Sequence, residues 1–147
     1  MHILLTRPIE DCSEMIIRFQ GLDHKVSHLP LINVKNVQHE KINFNDYGGI
    51  IFTSSNAVKN LNIENLSKKL ICFCVGSATE KKARSLGFQN TLAAEGNVSN
   101  LKELILQNYE LKDTPLLYVS GEIITTDLDQ QLLKDCLLYT SDAADDR

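Results

Sequence analysis

The chain has 147 residues, enough for one ordinary domain or for one domain and part of another. Hydrophobic residues make up 43% and charged residues 23%, a composition typical of globular proteins. The formal net charge of −4 argues against general nucleic-acid binding, because no basic stripe can release counterions. No apolar run approaches the roughly 20 residues that span a bilayer, and the N-terminus lacks a signal-peptide layout. We therefore expect a cytoplasmic protein with no nucleic-acid or membrane partner.

The first thirty residues predict one β-α-β unit. Residues 2–6 form the first strand, and Pro8 suits the first turn of a helix, where its missing N–H is not needed. Apolar residues at helical spacing continue to Gly21, and residues 24–29 form a second strand. Residues 31–38 then alternate apolar and polar side chains without a following helix. They predict an extended linker or edge ladder, with a domain boundary near 33–38.

A unit of strand, polar turn and helix recurs along the rest of the chain. The predicted strands are Ile50–Phe52, Ile71–Val75, Asn90–Ala94 and Leu116–Val119. Helices are expected after Asn56, from Ser77 to Ser85, from 97–100 onward and from 125–127 onward. Ser77 and Glu80 stand at capping-box spacing, and Gly87 is the expected C-cap of their helix. Alternating strands and helices predict parallel sheets with crossover connections, hence an α/β fold of the Rossmann or flavodoxin type.

Polar turns follow three of these strands, at Thr53–Asn56, Gly76–Thr79 and Ser120–Glu122. In parallel sheets ligands bind beyond the carboxyl ends of the strands. The N-terminus of a helix there offers free backbone N–H groups to an anion. These turns are therefore the predicted functional rim.

The cysteines and histidines do not predict a metal site. The four cysteines are Cys12, Cys72, Cys74 and Cys136. Cys72 and Cys74 lie in one strand, where we expect them to point to opposite faces, and their spacing fits neither a redox nor a zinc motif. His24, His28 and His39 have no cysteine or carboxylate at ligand spacing. We expect small buried thiols in a reducing compartment.

The last twelve residues, CLLYTSDAADDR at 136–147, break the preceding helical pattern. They resemble a translated reading frame of a sequencing-library adaptor over ten consecutive codons, Cys136 to Asp145. We therefore expect this tail to be artefactual and the natural chain to be interrupted after about Asp135.

Several short motifs occur in a fixed order: ILLTRP at 3–8, LPLINV at 29–34, IIFTSSNAV at 50–58, VGSAT at 75–79, LGF at 86–88 and LLYVSGE at 116–122. Together they resemble the uroporphyrinogen-III synthase family. The resemblance implies two doubly wound α/β domains joined by a two-stranded ladder. It makes residues 1–33 the opening β-α-β piece of domain one, 34–38 the ladder and 39–135 most of domain two. The rest of domain one would lie beyond Asp135, and the returning strand with it.

The resemblance implies a cytoplasmic, monomeric, cofactor-free lyase of tetrapyrrole and haem biosynthesis. Its substrate would be hydroxymethylbilane, which loses its terminal hydroxyl as water and closes with inversion of the terminal pyrrole ring. Catalysis would occur in a cleft between the domains, and the enzyme's main task would be to hold a flexible chain in the correct geometry. With part of the cleft beyond Asp135, we expect the chain alone to be inactive.

Individual residues have expected catalytic or substrate-binding roles. Thr79 matches the threonine of the family's VG-x-AT turn and is the catalytic candidate, although it could serve only as a first-turn helix residue. The substrate-binding candidates are Arg7, Thr53, Ser54, Ser55, Asn56, Gly76, Ser77, Ser120, Gly121 and Glu122. Each has an ordinary alternative: N-capping for the hydroxyl and amide side chains, sharp turns for the glycines, and structural ion pairing or capping for Arg7 and Glu122.

A non-catalytic, flavodoxin-like module that binds small anions is the alternative function. A receiver domain would carry clustered acids after its first strand, where this chain has Thr6 and Arg7. A dinucleotide-binding domain would carry GxGxxG after a strand, and the sequence has none. The α/β fold is common to all of these, so the fold alone does not choose among them.

Overall fold

The computed structural model describes residues 1–35, 41–63, 66–96, 98–110 and 114–120, and the backbone of Tyr139 and Thr140. Its contacts divide the chain into two compact units, Met1–Asn36 and Val37–Arg147. Three predictions lie outside the described residues: the ladder at 36–38, the rim positions Gly121 and Glu122, and the helix expected from 125–127 onward.

The first unit is the predicted β-α-β unit. Strand β1 (His2–Leu5) is followed by helix α1 (Ile9–Gly21) and strand β2 (Lys25–His28). The two strands are parallel. Backbone pairing continues past β2, since the Leu31 N–H donates to the Thr6 carbonyl at 2.8 Å. Beyond this, residues 29–35 form no regular element.

Among its described residues, the second unit has five parallel strands in the order β5-β4-β3-β6-β7. A short 3₁₀ turn (Phe44–Asp46) precedes them. The strands are β3 (Gly49–Phe52), β4 (Ile71–Val75), β5 (Asn90–Ala94), β6 (Leu116–Val119) and β7 (Tyr139–Thr140), and the helices are α2 (Ser55–Asn60), α3 (Ser77–Ser85) and α4 (Val98–Asn108). Every residue of β3 and β6 is buried. Such continuous apolar strands are typical of parallel sheets covered on both faces.

Alternate residues of the central strands pack into two separate cores. Ile50 and Phe52 lie in a cluster with α2 and α3, including Val58 and Ala83. Ile51 lies in a second cluster with α4, including Leu101 and Ile105. Helices therefore cover both faces of the sheet. The predicted α/β class, a Rossmann or flavodoxin-like parallel sheet, is confirmed.

Two glycines at the start of β3 allow close packing at the amino end of the sheet. A Cβ on Gly49 would lie 2.7 Å from Ile71 Cγ2 and 2.9 Å from Leu116 Cδ2, so only hydrogen fits there. The Tyr109 hydroxyl occupies the place that a Cβ on Gly48 would need. Gly49 is thus required by its neighbours, and Gly48 leaves room for Tyr109.

The two strand cysteines lie on the same face of the sheet. The prediction that they point to opposite faces is wrong. Cys72 and Cys74 are both fully buried in the α2–α3 cluster, whereas Phe73 lies in the α4 cluster. The reason is the two-residue period of a strand, which places residues i and i+2 on one face. Their sulfurs are 3.8 Å apart. The hydrogen bond with Cys74 and burial raise the pKa of the Cys72 thiol, which therefore stays neutral.

Candidate functional site

Three neighbouring strands end at one edge of the second unit's sheet. Phe52 of β3 is in register with Cys74 of β4 and with Val119 of β6. The next residue along each strand therefore emerges at the same level, and these residues include Thr53 and Ser120. The chain leaves β3 toward β4 and β5 and returns to β6 on the other side of β3. The carboxyl ends of β3 and β6 thus form a topological switch point, where ligands bind in open α/β sheets.

In the turn after β3, hydroxyl side chains begin helix α2. Ser54 is its N-cap, and the Ser54 hydroxyl accepts a hydrogen bond from the Ala57 N–H at 3.2 Å. Thr53, Ser55 and Asn56 are half-buried. The capping alternative for Ser54 is therefore realised.

The turn after β4 begins helix α3 without a side-chain cap. Gly76 is the N-cap residue, with φ 79° and ψ 152°, and its N–H donates to the Ala94 carbonyl at 2.9 Å. Apart from Gly76 and its two chain neighbours, no heavy atom of the described residues lies within 4 Å of the position that its Cβ would take. In the described part of the chain, no acceptor is found for the N–H groups of Ser77, Ala78 or Thr79. The start of α3 therefore combines open space with backbone N–H groups that have no acceptor among the described residues.

Thr79 lies in the first turn of α3 but faces inward. It is 5% exposed, like Ala83 one turn later, so it is on the buried face of the helix. Its hydroxyl makes no side-chain hydrogen bond to other described residues. Buried hydroxyl groups are usually paired, and an unpaired one costs about 1–3 kcal/mol. The sequence places Thr79 in a polar turn of the predicted rim, whereas in the structure its side chain is a buried polar group.

The predicted capping box of α3 is wrong. Ser77 is the first helical residue and not the N-cap, and the Glu80 side chain does not return to it. Glu80 Oε1 instead accepts hydrogen bonds from Arg84 Nη2 at 2.8 Å, Arg84 Nε at 3.1 Å and Thr91 Oγ1 at 2.9 Å. These bonds, those from Arg84 foremost, hold the pKa of Glu80 below its ordinary value. We call Glu80, Arg84 and Thr91 the Glu80 network.

This network contains the residues that sequence reasoning missed. Glu80 and Arg84 are four residues apart, a helical ion-pair spacing that could have predicted their contact. The contact with Thr91 joins α3 to β5, and no local pattern predicts it. Thr91 is 7% exposed.

Arg7 lies in the first unit, in the turn after β1. Its guanidinium is 3.6 Å from the Asp11 carboxylate, and its side chain is 63% exposed. Its carbonyl accepts hydrogen bonds from His28 Nε2 at 2.7 Å and from the Cys12 thiol at 3.3 Å. The structural ion pair that the sequence offered as the alternative for Arg7 is therefore present, and the turn is also held by its backbone.

The described residues contain no group of three or more histidine, cysteine, aspartate or glutamate side chains that could hold a metal ion. No described helix is long and apolar enough to cross a membrane.

The doubly wound sheet and the open turns at its carboxyl edge define an α/β protein of the Rossmann or flavodoxin-like class. The family model for uroporphyrinogen-III synthase HemD matches residues 13–142. The chain therefore belongs to the uroporphyrinogen-III synthase family, whose members are lyase-type enzymes of haem and porphyrin biosynthesis with a small-molecule tetrapyrrole substrate. No curated protein sequence matches the chain significantly.

Proposed function

We propose that this chain contributes to the uroporphyrinogen-III synthase reaction by binding hydroxymethylbilane at the carboxyl edge of its second unit. The observation that carries this proposal is the uncapped start of α3, where Gly76 has a positive φ and open space beside it. Together with the family match, this feature favours a ligand rich in carboxylates, because helix N-termini stabilise negative charge.

In the proposed reaction, hydroxymethylbilane loses its terminal hydroxyl as water. The far pyrrole attacks the resulting azafulvene through its already substituted carbon. A spiro intermediate then fragments and recloses with that ring inverted. The acetate and propionate groups of the substrate would be held by the N–H groups after Gly76 and by the hydroxyls of Thr53, Ser77 and Ser120. Each helix end contributes about 0.3–1 kcal/mol toward an exposed anion, so several must act together.

We assign no proton transfer to an exposed side chain of this edge. Thr79 stays the proposed catalytic candidate, through its buried hydroxyl, and its role would require the first turn of α3 to move or a water molecule to reach it. Ser55 and Asn56 would contribute from the first turn of α2, and Gly121 and Glu122 from the end of the third turn. Arg7, in the first unit, would bind a substrate carboxylate.

The alternative is a non-catalytic module that binds small anions. The burial of Thr79 favours it, because a proton donor that is 5% exposed cannot contact substrate without rearrangement. Formation of the type III isomer at an enzymatic rate would exclude this binding module.

The decisive experiment has a binding arm and a product arm. Uroporphyrin III, an octacarboxylate with the same substituents, is titrated against the whole chain and followed by its fluorescence. We expect binding that weakens in Thr53→Val, with Ser85→Ala at the far end of α3 as the unchanged control. The product arm incubates the chain with hydroxymethylbilane and separates the isomers chromatographically. We expect only the uninverted isomer at the uncatalysed rate.

The binding arm tests the substrate assignment, and the product arm tests whether the chain alone is active. Absence of uroporphyrin binding would overturn the substrate assignment. Formation of the type III isomer at an enzymatic rate would overturn the expectation that the chain alone is inactive, and it would exclude the non-catalytic alternative.

A further inference from the structure

Cys72 and Cys74 form a pair of thiols inside the second unit. Both side chains are fully buried, and their sulfurs are 3.8 Å apart. Both cysteines are free thiols on one strand, β4, with Phe73 between them. The proposed reaction does not use them. Whether the two sulfurs can be joined depends on the backbone that separates them.

The extended backbone of β4 holds the two residues too far apart for a disulfide bond. A strand rises about 3.3 Å per residue, so side chains two residues apart leave the sheet about 6.6 Å from each other. A disulfide needs a Cβ–Cβ distance of about 3.5–4.5 Å. The side chains lean toward each other until the sulfurs are 3.8 Å apart, but this leaves the Cβ atoms where the strand places them. Closing the bond therefore requires β4 to shorten by roughly 2 Å.

The neighbouring strands and the opposite core prevent that shortening. β4 is paired with β5 from Ile71 to Val75 and with β3 from Ile71 to Cys74. Phe73 projects into the α4 cluster, where its ring meets the Tyr109 ring edge-on with the centroids 6.3 Å apart. A bend at Phe73 would break both backbone ladders and remove this packing. The folded sheet therefore keeps the two cysteines as thiols.

The folded state also protects the thiols from reaction. A thiolate, and not a thiol, attacks a disulfide. The hydrogen bond with Cys74 and burial raise the pKa of the Cys72 thiol, and neither side chain has accessible surface. Both obstacles disappear when β4 opens. The two thiols then lie two residues apart on a flexible chain, where a short loop closes at little entropic cost.

We propose that Cys72 and Cys74 are a redox switch on folding: a small-molecule disulfide oxidises them only when β4 has opened, and the new bond prevents β4 from rejoining the sheet. One cysteine thiolate attacks the reagent, forms a mixed disulfide and releases one reagent thiol. The second cysteine attacks the sulfur of the first, closes the Cys72–Cys74 bond and releases the second reagent thiol. Two electrons pass from the protein to the reagent, and both protein thiol protons end on the released thiols.

The position of β4 makes this bond decisive for the second unit. β4 lies between β3 and β5, so a chain that cannot pair β4 cannot rebuild this sheet. The reduced chain refolds after each opening, whereas under oxidising conditions a transient opening becomes a lasting loss of the fold. Reduction by a dithiol reverses the switch. This inference does not depend on the proposed ligand.

The test uses the whole chain with oxidised glutathione at a series of urea concentrations. Remaining thiols are blocked with N-ethylmaleimide, and trypsin then cuts after Lys69 and Lys81, so that one peptide carries both cysteines of the pair and neither Cys12 nor Cys136. The disulfide is measured by mass as the unblocked peptide that has lost two hydrogens. We expect it to form at least about 100-fold more slowly in buffer than at the urea midpoint, because only the open population reacts. Equal rates in buffer and at the midpoint, with the native circular dichroism retained in buffer, would overturn the proposal.

Refolding gives a second measurement, followed by tyrosine fluorescence. After urea is removed, the oxidised chain should stay unfolded and dithiothreitol should restore the fold, whereas a chain taken through urea without glutathione refolds. Cys72→Ala/Cys74→Ala retains the other two cysteines, and glutathione should not change the refolding of its second unit. Refolding of the oxidised wild type with the urea midpoint of the reduced chain would overturn the proposal. The peptide measurement needs no variant, so it decides the proposal if the double variant does not fold.

Discussion

Replacing Gly76 by alanine tests whether the open start of α3 depends on backbone conformation. Gly76 has φ 79° and ψ 152°, a region that is essentially restricted to glycine. Apart from the chain neighbours of Gly76, the added methyl group would meet no heavy atom of the described residues within 4 Å. Any loss of stability must therefore come from the residue's own backbone and not from a clash with its neighbours.

The expected magnitude follows from two opposing contributions. Holding a residue with a Cβ in such a conformation costs about 1–3 kcal/mol. Alanine also restricts the unfolded chain, which returns about 0.4–1 kcal/mol. We therefore expect Gly76→Ala to lower the free energy of unfolding by about 1–2 kcal/mol. For a unit of this size that corresponds to a fall in Tm of roughly 4–8 °C.

Tyrosine fluorescence can follow this unfolding, because the four tyrosines (Tyr47, Tyr109, Tyr118 and Tyr139) all belong to the second unit. Urea titrations of Gly76→Ala are compared with Ser77→Ala, a change at the adjacent exposed position that should stay within about 0.5 kcal/mol. If Gly76→Ala proves as stable as Ser77→Ala, the turn does not require a positive φ and the reasoning is refuted.

Three further predictions concern packing, pH and thiol reactivity. Gly49→Ala should cost about 1–3 kcal/mol in a urea titration, because its Cβ would lie 2.7 Å from Ile71 Cγ2; an unchanged midpoint would contradict this. Glu80→Gln should lower stability by about 1 kcal/mol near pH 7. Since the folded-state pKa lies below the ordinary 4.5, this difference should persist above pH 4.5 and disappear as the pH falls through the lower folded value; a difference constant down to pH 3 would refute it. Maleimide should label Cys72 and Cys74 only after unfolding, as detected by mass spectrometry, and labelling in the native state at the rate of a free thiol would disprove their burial.

The strands were predictable because their apolar runs are continuous and bounded by polar turns. Ile71–Val75 has the predicted bounds, and β3 begins one residue before the predicted Ile50. Parallel pairing then followed from the alternation of strands with helices. That alternation also placed the turns after β3, β4 and β6 at one edge before any coordinate was known.

The chemistry of that edge was less predictable, because it depends on which donors are already used. Ser54 and Ser77 both precede or begin helices and look alike in sequence, yet only Ser54 caps a helix. The capping-box spacing of Glu80 was overridden by a contact with Thr91, eleven residues away on another element. The face of Cys72 and Cys74 is a different case, since the strand period alone predicts it correctly.

The closely packed start of β3 makes the two ends of the sheet unequal. At the amino end, the Tyr109 hydroxyl lies against Gly48 and donates to the Thr114 carbonyl at 2.8 Å, while the Gly48 N–H donates to the Pro115 carbonyl at 3.0 Å. Substitutions there are constrained by the close packing and should lower the yield of folded protein. At the carboxyl end, Gly76 itself is restricted by its backbone conformation, but exposed neighbours such as Ser77 and Ala78 can change without disturbing the core. In a mutational scan, substitutions at the amino end of the strands should therefore lower protein abundance. Substitutions at the carboxyl end should instead lower ligand affinity.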